Sequence, residues 1–264
     1  MPATHWTEEH MPVAGTSVHM YRGGDGPPLL ILHGEGGNPG WLLYLDTLAA
    51  SFTVYVPSQP GFGMTPRIAW IASVEDLAVF TLWMLEELAL GPVHLLGHGV
   101  GGWLAADVAT LCPQVIERLV LVDAMGIKPR NNDILDIFLL TPEEVRVRAF
   151  YDPAQVPEWE RLYGNTPTAA EAERAEAALE MLMRMCWKPY MHEPRLPFVL
   201  PRIKCPTLIV WGRQDAIVPL ECAERYYQDI ADSQLTVLDA CGHYPQLEKP
   251  HDFSTAVRSF LSVS

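Results

Sequence analysis

The stretch that most constrains the fold is residues 93–102, Val-His-Leu-Leu-Gly-His-Gly-Val-Gly-Gly. Residues 93–96 form a short apolar run that predicts a buried strand. The small and apolar residues of 100–111 predict the helix it feeds, so four glycines crowd one strand-to-helix turn. A turn of this kind lifts one side chain off the top of a sheet. In the pattern Gly-x-Ser-x-Gly that side chain is a nucleophilic serine, and the glycines relieve the crowding around it. Here the central position is Gly99: the turn is encoded and its nucleophile is absent. The same residues also fit Gly-x-Gly-x-x-Gly through Gly97, Gly99 and Gly102, with Asp123 ending the next apolar run, as a dinucleotide-binding turn would require.

The remainder of the chain decides between these readings. At 264 residues, 49% hydrophobic and 19% charged, it has the make-up of one large globular domain. A formal net charge of −14 argues against nucleic acid and anionic membrane surfaces as partners. The five cysteines (Cys112, Cys186, Cys205, Cys222 and Cys241) are odd in number and form no C-x-x-C, so they read as reduced thiols. The histidines form no helical H-x-x-x-H pair, and neither a metal nor a cofactor is expected. Residues 1–9 lack the basic start and apolar centre of a leader, and no run approaches the ~18 apolar residues of a membrane span. These features lead us to expect a soluble, cytoplasmic protein with a small-molecule partner. Self-association into a homodimer stays open.

Residues 6–12 and 17–22, divided by Ala14-Gly15, predict a hairpin. An apolar run at 29–32 ends in His33-Gly34-Glu35-Gly36-Gly37; a helix at about 40–50 and a strand at 53–56 follow, the latter ending in Pro57-Ser58-Gln59-Pro60-Gly61. Ser73-Val-Glu-Asp76 is a capping-box sequence ahead of a helix with Leu77, Phe80, Met84, Leu85 and Leu88 on one face. Apolar runs recur at 119–123, 207–211 and 235–239. Such runs separated by helices imply a mostly parallel, twisted sheet covered on both faces, an α/β fold. Between 123 and 207 the rhythm breaks into helical patterns near 142–150 and 168–186. We expect a helical cap at 127–203 inserted into a core of 1–126 and 204–264.

Five ordered signatures carry a family resemblance: His33-Gly34, Pro60-Gly61-Phe62-Gly63, the turn at 97–101, Trp211-Gly212-Arg213-Gln214-Asp215, and Cys241-Gly242-His243-Tyr244-Pro245 with Glu248-Lys249-Pro250 behind it. The chain resembles the α/β-hydrolase superfamily, and within it the cap-bearing carboxylesterases and meta-cleavage-product hydrolases. The dinucleotide reading leaves these signatures unexplained and puts its turn after several strands rather than on the first.

The resemblance implies an order of nucleophile, acid and histidine, here Gly99, Asp215 and His243, each on a loop at the carboxyl end of a strand. Asp215 would fix the His243 tautomer, and His243 would serve as base and then acid. Asp123 is the substitute acid should Asp215 point away. Backbone N–H groups of Val100 and Glu35 would form an oxyanion hole. Glu35 is a departure: its side chain must turn to solvent or to an arginine, or else act as an acid or base in place of the serine. Phe138, Trp187, Tyr190 and Tyr244 are expected at the substrate pocket, the cap aromatics serving either as its roof or as the cap's own core.

Three readings of the function remain open. In the first, the parent enzyme cleaves an ester or C–C bond of a small, largely apolar or aromatic substrate by acyl transfer to serine, and Gly99 makes this chain inactive or nearly so. In the second, the serine-less enzyme is native, and His243 with Asp215 activates water or abstracts a proton. In the third, the fold is a non-catalytic ligand binder.

Overall fold

The computed structural model of the chain describes residues 5–262; residues 1–4, where the leader reading begins, lie outside the described residues. An eight-stranded sheet runs in the order β1-β2-β4-β3-β5-β6-β7-β8. Its members are β1 (Trp6–Val13), β2 (Thr16–Gly23), β3 (Pro28–Leu32), β4 (Thr53–Pro57), β5 (Val93–His98), β6 (Ile116–Val122), β7 (Thr207–Gly212) and β8 (Ser233–Leu238). The hairpin β1–β2 is antiparallel and pairs antiparallel with β4, and every pairing from β4 to β8 is parallel. Every residue of β4, β5 and β7 is buried, which is why these strands read as continuous apolar runs rather than as alternation.

Helices α1 (Leu43–Ala49), α2 (Val74–Glu87) and α3 (Val100–Leu111) connect the first half of the sheet. The α2 capping box forms, with Ser73 accepting from the Asp76 N–H and Asp76 answering to the Ser73 N–H. Between β6 and β7 lie α4 (Pro142–Ala149), α5 (Trp159–Tyr163), α6 (Ala169–Cys186) and α7 (Leu196–Val199); α8 (Leu220–Asp229), α9 (Pro245–Glu248) and α10 (Pro250–Leu261) complete the chain. The insertion is tied to the sheet's loops by Arg161 donating to Trp41 O, Leu43 N–H donating to Glu158, and Arg184 donating to Ala69 O. Among the described residues, no helix is long and apolar enough to cross a membrane.

The strand order matters for chemistry. β3 is followed in sequence by β4 on one side, and β5 then pairs with β3 on the other. This is a topological switch point, where loops leaving adjacent strands part and open a crevice at the sheet's carboxyl edge. The loop after β3 carries Glu35 and the turn after β5 carries Gly99, so the two sequence departures meet there.

Candidate active site

The turn after β5 is held by close backbone contacts that only glycine allows. A Cβ on Gly97 would fall 2.1 Å from Gly101 O, and one on Gly101 would fall 2.3 Å from the carbonyl oxygens of Leu32 and His33. Gly99 adopts φ 54°, ψ −120°, a conformation that costs an ordinary residue roughly 1–3 kcal/mol. It is pinned by its N–H donating to Val122 O and its carbonyl accepting from Gly102 and Met125. Val100 begins α3 immediately after it.

Two further loops converge on this turn. Asp215 follows β7, and its Oδ1 accepts from the N–H groups of Ile217 and Val218 at 2.7 and 3.0 Å. Its other oxygen accepts from His243 Nδ1 at 2.8 Å. The His243 loop is held by Glu248, whose carboxylate accepts from Gly242 N–H and Tyr151 N–H, both at 2.8 Å. The His243 N–H itself donates to Ala149 O at 2.6 Å. Asp215 and His243 thus stand as a bonded pair beside the turn. Asp123 lies behind them, its Oδ1 accepting from Gly212 N–H; burial, then the neighbouring Asp215, push its carboxyl well above the usual range. These three residues offer ligand atoms within 4.8 Å of one another, but Asp215 and His243 spend theirs on each other.

Glu35 does neither of the ordinary things expected of it. It turns neither to solvent nor to an arginine: its side chain is 6% exposed, and its Oε1 accepts from His243 Nε2 at 3.1 Å and from the Tyr244 hydroxyl at 3.0 Å. Its Oε2 sits 2.2 Å from where a Cβ on residue 99 would be. Both ring nitrogens of the wholly buried His243 therefore face carboxylates, which accept from an imidazolium. Burial opposes that charge, yet Asp215 and Glu35 on either side hold the His243 pKa well above its ordinary value. Burial likewise pushes Glu35 upward, and the His243 charge and hydrogen bond more than offset it, leaving the carboxyl well below the usual range. The resting arrangement is carboxylate, imidazolium, carboxylate. Its own backbone N–H also stabilises the Glu35 carboxylate, which draws one expected oxyanion donor toward the side chain.

The neighbouring histidines are structural. His98 Nε2 donates to His243 O at 2.7 Å, and burial, then the His243 charge, lowers its pKa to about 4. His33 donates from Nδ1 to Gly34 O and accepts at Nε2 from Gln59 N–H, so it is neutral and braces the Glu35 loop. Of the four residues expected at the pocket, only Tyr244 reaches the charged cluster directly. Phe138, Trp187 and Tyr190 instead pack on one another, with ring centroids 5.7 Å apart for both Phe138 pairs. The Tyr190 hydroxyl is spent on Leu135 O and Ile137 N–H. The Tyr190 phenol thereby holds the backbone at 135–137, and Trp187 stays half exposed. Tyr244 as a donor to Glu35, and Glu248 as the anchor of the His243 loop, were not foreseen; Tyr244 is remote in sequence from Glu35, and Glu248 joins the His243 loop to the distant Tyr151.

Residues 29–256 match the alpha/beta hydrolase family. The chain is 30% identical over 263 residues, 94% of each chain, to 2-hydroxy-6-oxo-2,4-heptadienoate hydrolase of Pseudomonas putida. It is 28% identical over 274 residues, 94% of this chain and 92% of the relative, to 2-hydroxymuconate semialdehyde hydrolase of a Pseudomonas species. Among solved structures, 2-hydroxy-6-oxo-6-phenylhexa-2,4-dienoate hydrolase of a Rhodococcus strain superposes with a TM-score of 0.82 over 99% of this chain and 100% of its own, at 22% identity. With its sheet order, its Asp215–His243 pair and its sequence agreeing over nearly the whole length, this chain belongs to the alpha/beta hydrolase family.

Proposed function

We propose that the chain is a working hydrolase, cleaving an ester or a C–C bond beside a carbonyl in a small, largely apolar substrate, and that Gly99 is native to it rather than the scar of a lost serine. The observation that carries this reading is the Glu35 carboxylate standing within 2.2 Å of the Cβ position at residue 99. A serine there would collide with a buried, doubly hydrogen-bonded anion. On this reading the missing nucleophile and the buried acid are one coupled replacement.

The substrate class is supported by the relatives, whose printed names describe hydrolysis of hydroxy-oxo-dienoates and a muconate semialdehyde. The insertion at 127–203 acts as the cap, selecting the substrate over the 35–37 loop, where Gly36 is exposed beside the buried Glu35. The pure-binder reading fits less well, since burying two carboxylates and an imidazolium in contact is costly and a ligand pocket has no need of them. The test is turnover of a panel of aryl esters and unsaturated hydroxy-oxo acids by this chain and by His243→Ala. Turnover that falls by about 10³-fold or more in the variant is expected for a group that moves the proton; a folded wild-type chain that turns over none of them ends the reading.

A further inference from the structure

The two oxygens of Glu35 have unequal surroundings. Oε1 takes hydrogen bonds from His243 and Tyr244, while Oε2 is buried with no hydrogen-bond partner. An anionic oxygen stripped of water and given no donor is among the least stable groups a fold can hold. Such an orphan needs a reason, and its position supplies one. It lies over Gly99, at the start of α3, where the positive end of the helix favours negative charge and where an elbow side chain would address a bound substrate.

We propose that Glu35 is the nucleophile, its Oε2 attacking the substrate carbonyl carbon to form a mixed anhydride with the acyl group. This rests on the reading of the site as a working hydrolase and specifies its covalent step. An Oε2 electron pair forms the new C–O bond, and the carbonyl electrons move to the oxygen facing the Val100 N–H. Collapse breaks the bond to the leaving alkoxide or enolate, which takes the proton from His243 Nε2. This leaves acyl-Glu35 and a neutral imidazole. Water then attacks the glutamyl carbon of the anhydride, passing one proton to Nε2; expulsion of the acyl carboxylate, which takes the proton left on Glu35, restores the original ion pair. One water is consumed and one acid and one protonated leaving group appear, with no oxidant or reductant.

The geometry suits this order of events better than the serine order. A serine must first give its proton to a neutral imidazole. A carboxylate attacks without losing one, and the ring bonded between Asp215 and Glu35 already carries the proton that the leaving group requires. The rival role for Glu35, a base that activates water directly, forms no bond to the substrate and would give turnover with neither label nor hydroxamate on Glu35.

The test uses the full chain turning over an aryl ester in heavy-oxygen water and, separately, in the presence of hydroxylamine, followed by mass analysis of the peptide that holds Glu35. The expected results are heavy oxygen in the Glu35 carboxylate after many turnovers, from water attacking the glutamyl side of the anhydride, and a hydroxamate on Glu35 in the trapping experiment. Glu35→Gln should lose both signals and about 10³-fold or more in rate. Glu35→Asp keeps the charge if the glutamine variant fails to fold, and should retain label at a reduced rate. Wild-type turnover with neither label nor hydroxamate overturns the covalent step while leaving the enzyme reading intact. Absence of turnover on every substrate overturns both.

Discussion

Among the described residues, two relays link a histidine to side-chain oxygen on both sides, and one of them is built for chemistry. In the first, Ser58 Oγ bonds to His19 Nδ1 at 2.9 Å and His19 Nε2 bonds to Glu8 at 2.8 Å. On connectivity alone this serine–histidine–glutamate chain looks the better triad. Yet Ser58 is 1% exposed, its N–H is tied to His19 O, and each ring nitrogen of His19 already has its partner in Ser58 Oγ and Glu8. In the second, Asp215, His243 and Glu35 crowd two negative charges round one positive and leave Glu35 Oε2 unpartnered. A relay whose atoms are all satisfied holds a fold together. A relay with an unmet demand at the carboxyl edge of the sheet can act on a substrate.

The largest expected difference is between variants of the two relays. His243→Ala should reduce turnover by about 10³-fold or more, whereas Ser58→Ala should leave the rate within a few-fold. Its cost falls on stability, about 1–2 kcal/mol for a buried hydrogen bond, read as a shift in the denaturation midpoint. Equal losses of activity would break the comparison.

Next in size is the coupling between positions 99 and 35. Gly99→Ser alone forces the Glu35 carboxylate from its seat and should yield no more activity than the wild type, because the incoming hydroxyl and the displaced anion compete for His243. Gly99→Ser combined with Glu35→Gly removes the competitor and should gain about 10²-fold or more on aryl esters over either single variant, a non-additive pattern expected of residues in contact. Rates that multiply independently would show that the two departures are unrelated.

This pairing is also where the sequence was hardest to read. The sheet, its strand order class, the capping box at Ser73, α3, α4 and the start of α6 at the Thr168 cap all follow from local periodicity and turn chemistry. Asp215 and His243 were legible because motif and strand end coincide. The helix predicted from about residue 40 begins only at Leu43, since Gly40 at φ 102° breaks it, and β5 runs on to His98 where the glycines suggested an earlier end. The fate of Glu35 was not legible. Its partners, Tyr244 and His243, lie more than 200 positions away, and only the adjacency of β3 and β5 brings the carboxylate over Gly99.

A subtler effect lies in the pH dependence. His243 is faced by Asp215, Glu35, His98, Asp123 and Tyr244, and the carboxylates hold its pKa above the ordinary value. The folded-state pKa of His243 is raised, so its contribution to stability is full below the ordinary imidazole value and is lost as pH rises through the raised one. Glu35 is lowered, so its contribution is full above the ordinary carboxylate value and is lost only as pH falls through the lowered one. Stability from this pair should therefore be flat at mildly acid pH and decline from about pH 6.5 upward. Activity that requires the imidazolium should share the alkaline fall, whereas a serine mechanism rises as imidazole loses its proton near pH 6.5. The Gly99→Ser, Glu35→Gly double variant should switch from the first profile to the second.

The smallest expected effect belongs to the outer end of the structural relay. Glu8 has a side chain 43% exposed, so water screens its attraction to His19 and can replace its hydrogen bond. Glu8→Gln keeps an amide oxygen able to accept from His19 Nε2 and removes only the charge. The change should cost about 0–1 kcal/mol of stability and leave turnover untouched. The equivalent change at the buried relay, Glu35→Gln, deletes a charge that the imidazolium of His243 depends on. Removing one member of a buried charge cluster leaves the others uncompensated, at about 3–5 kcal/mol, unless His243 releases its proton. Measuring both glutamine variants by denaturation at neutral and mildly acid pH sets the two relays on one scale: the Glu8 variant should show the smaller loss, and the Glu35 variant a loss that grows as acid forces the proton back onto His243.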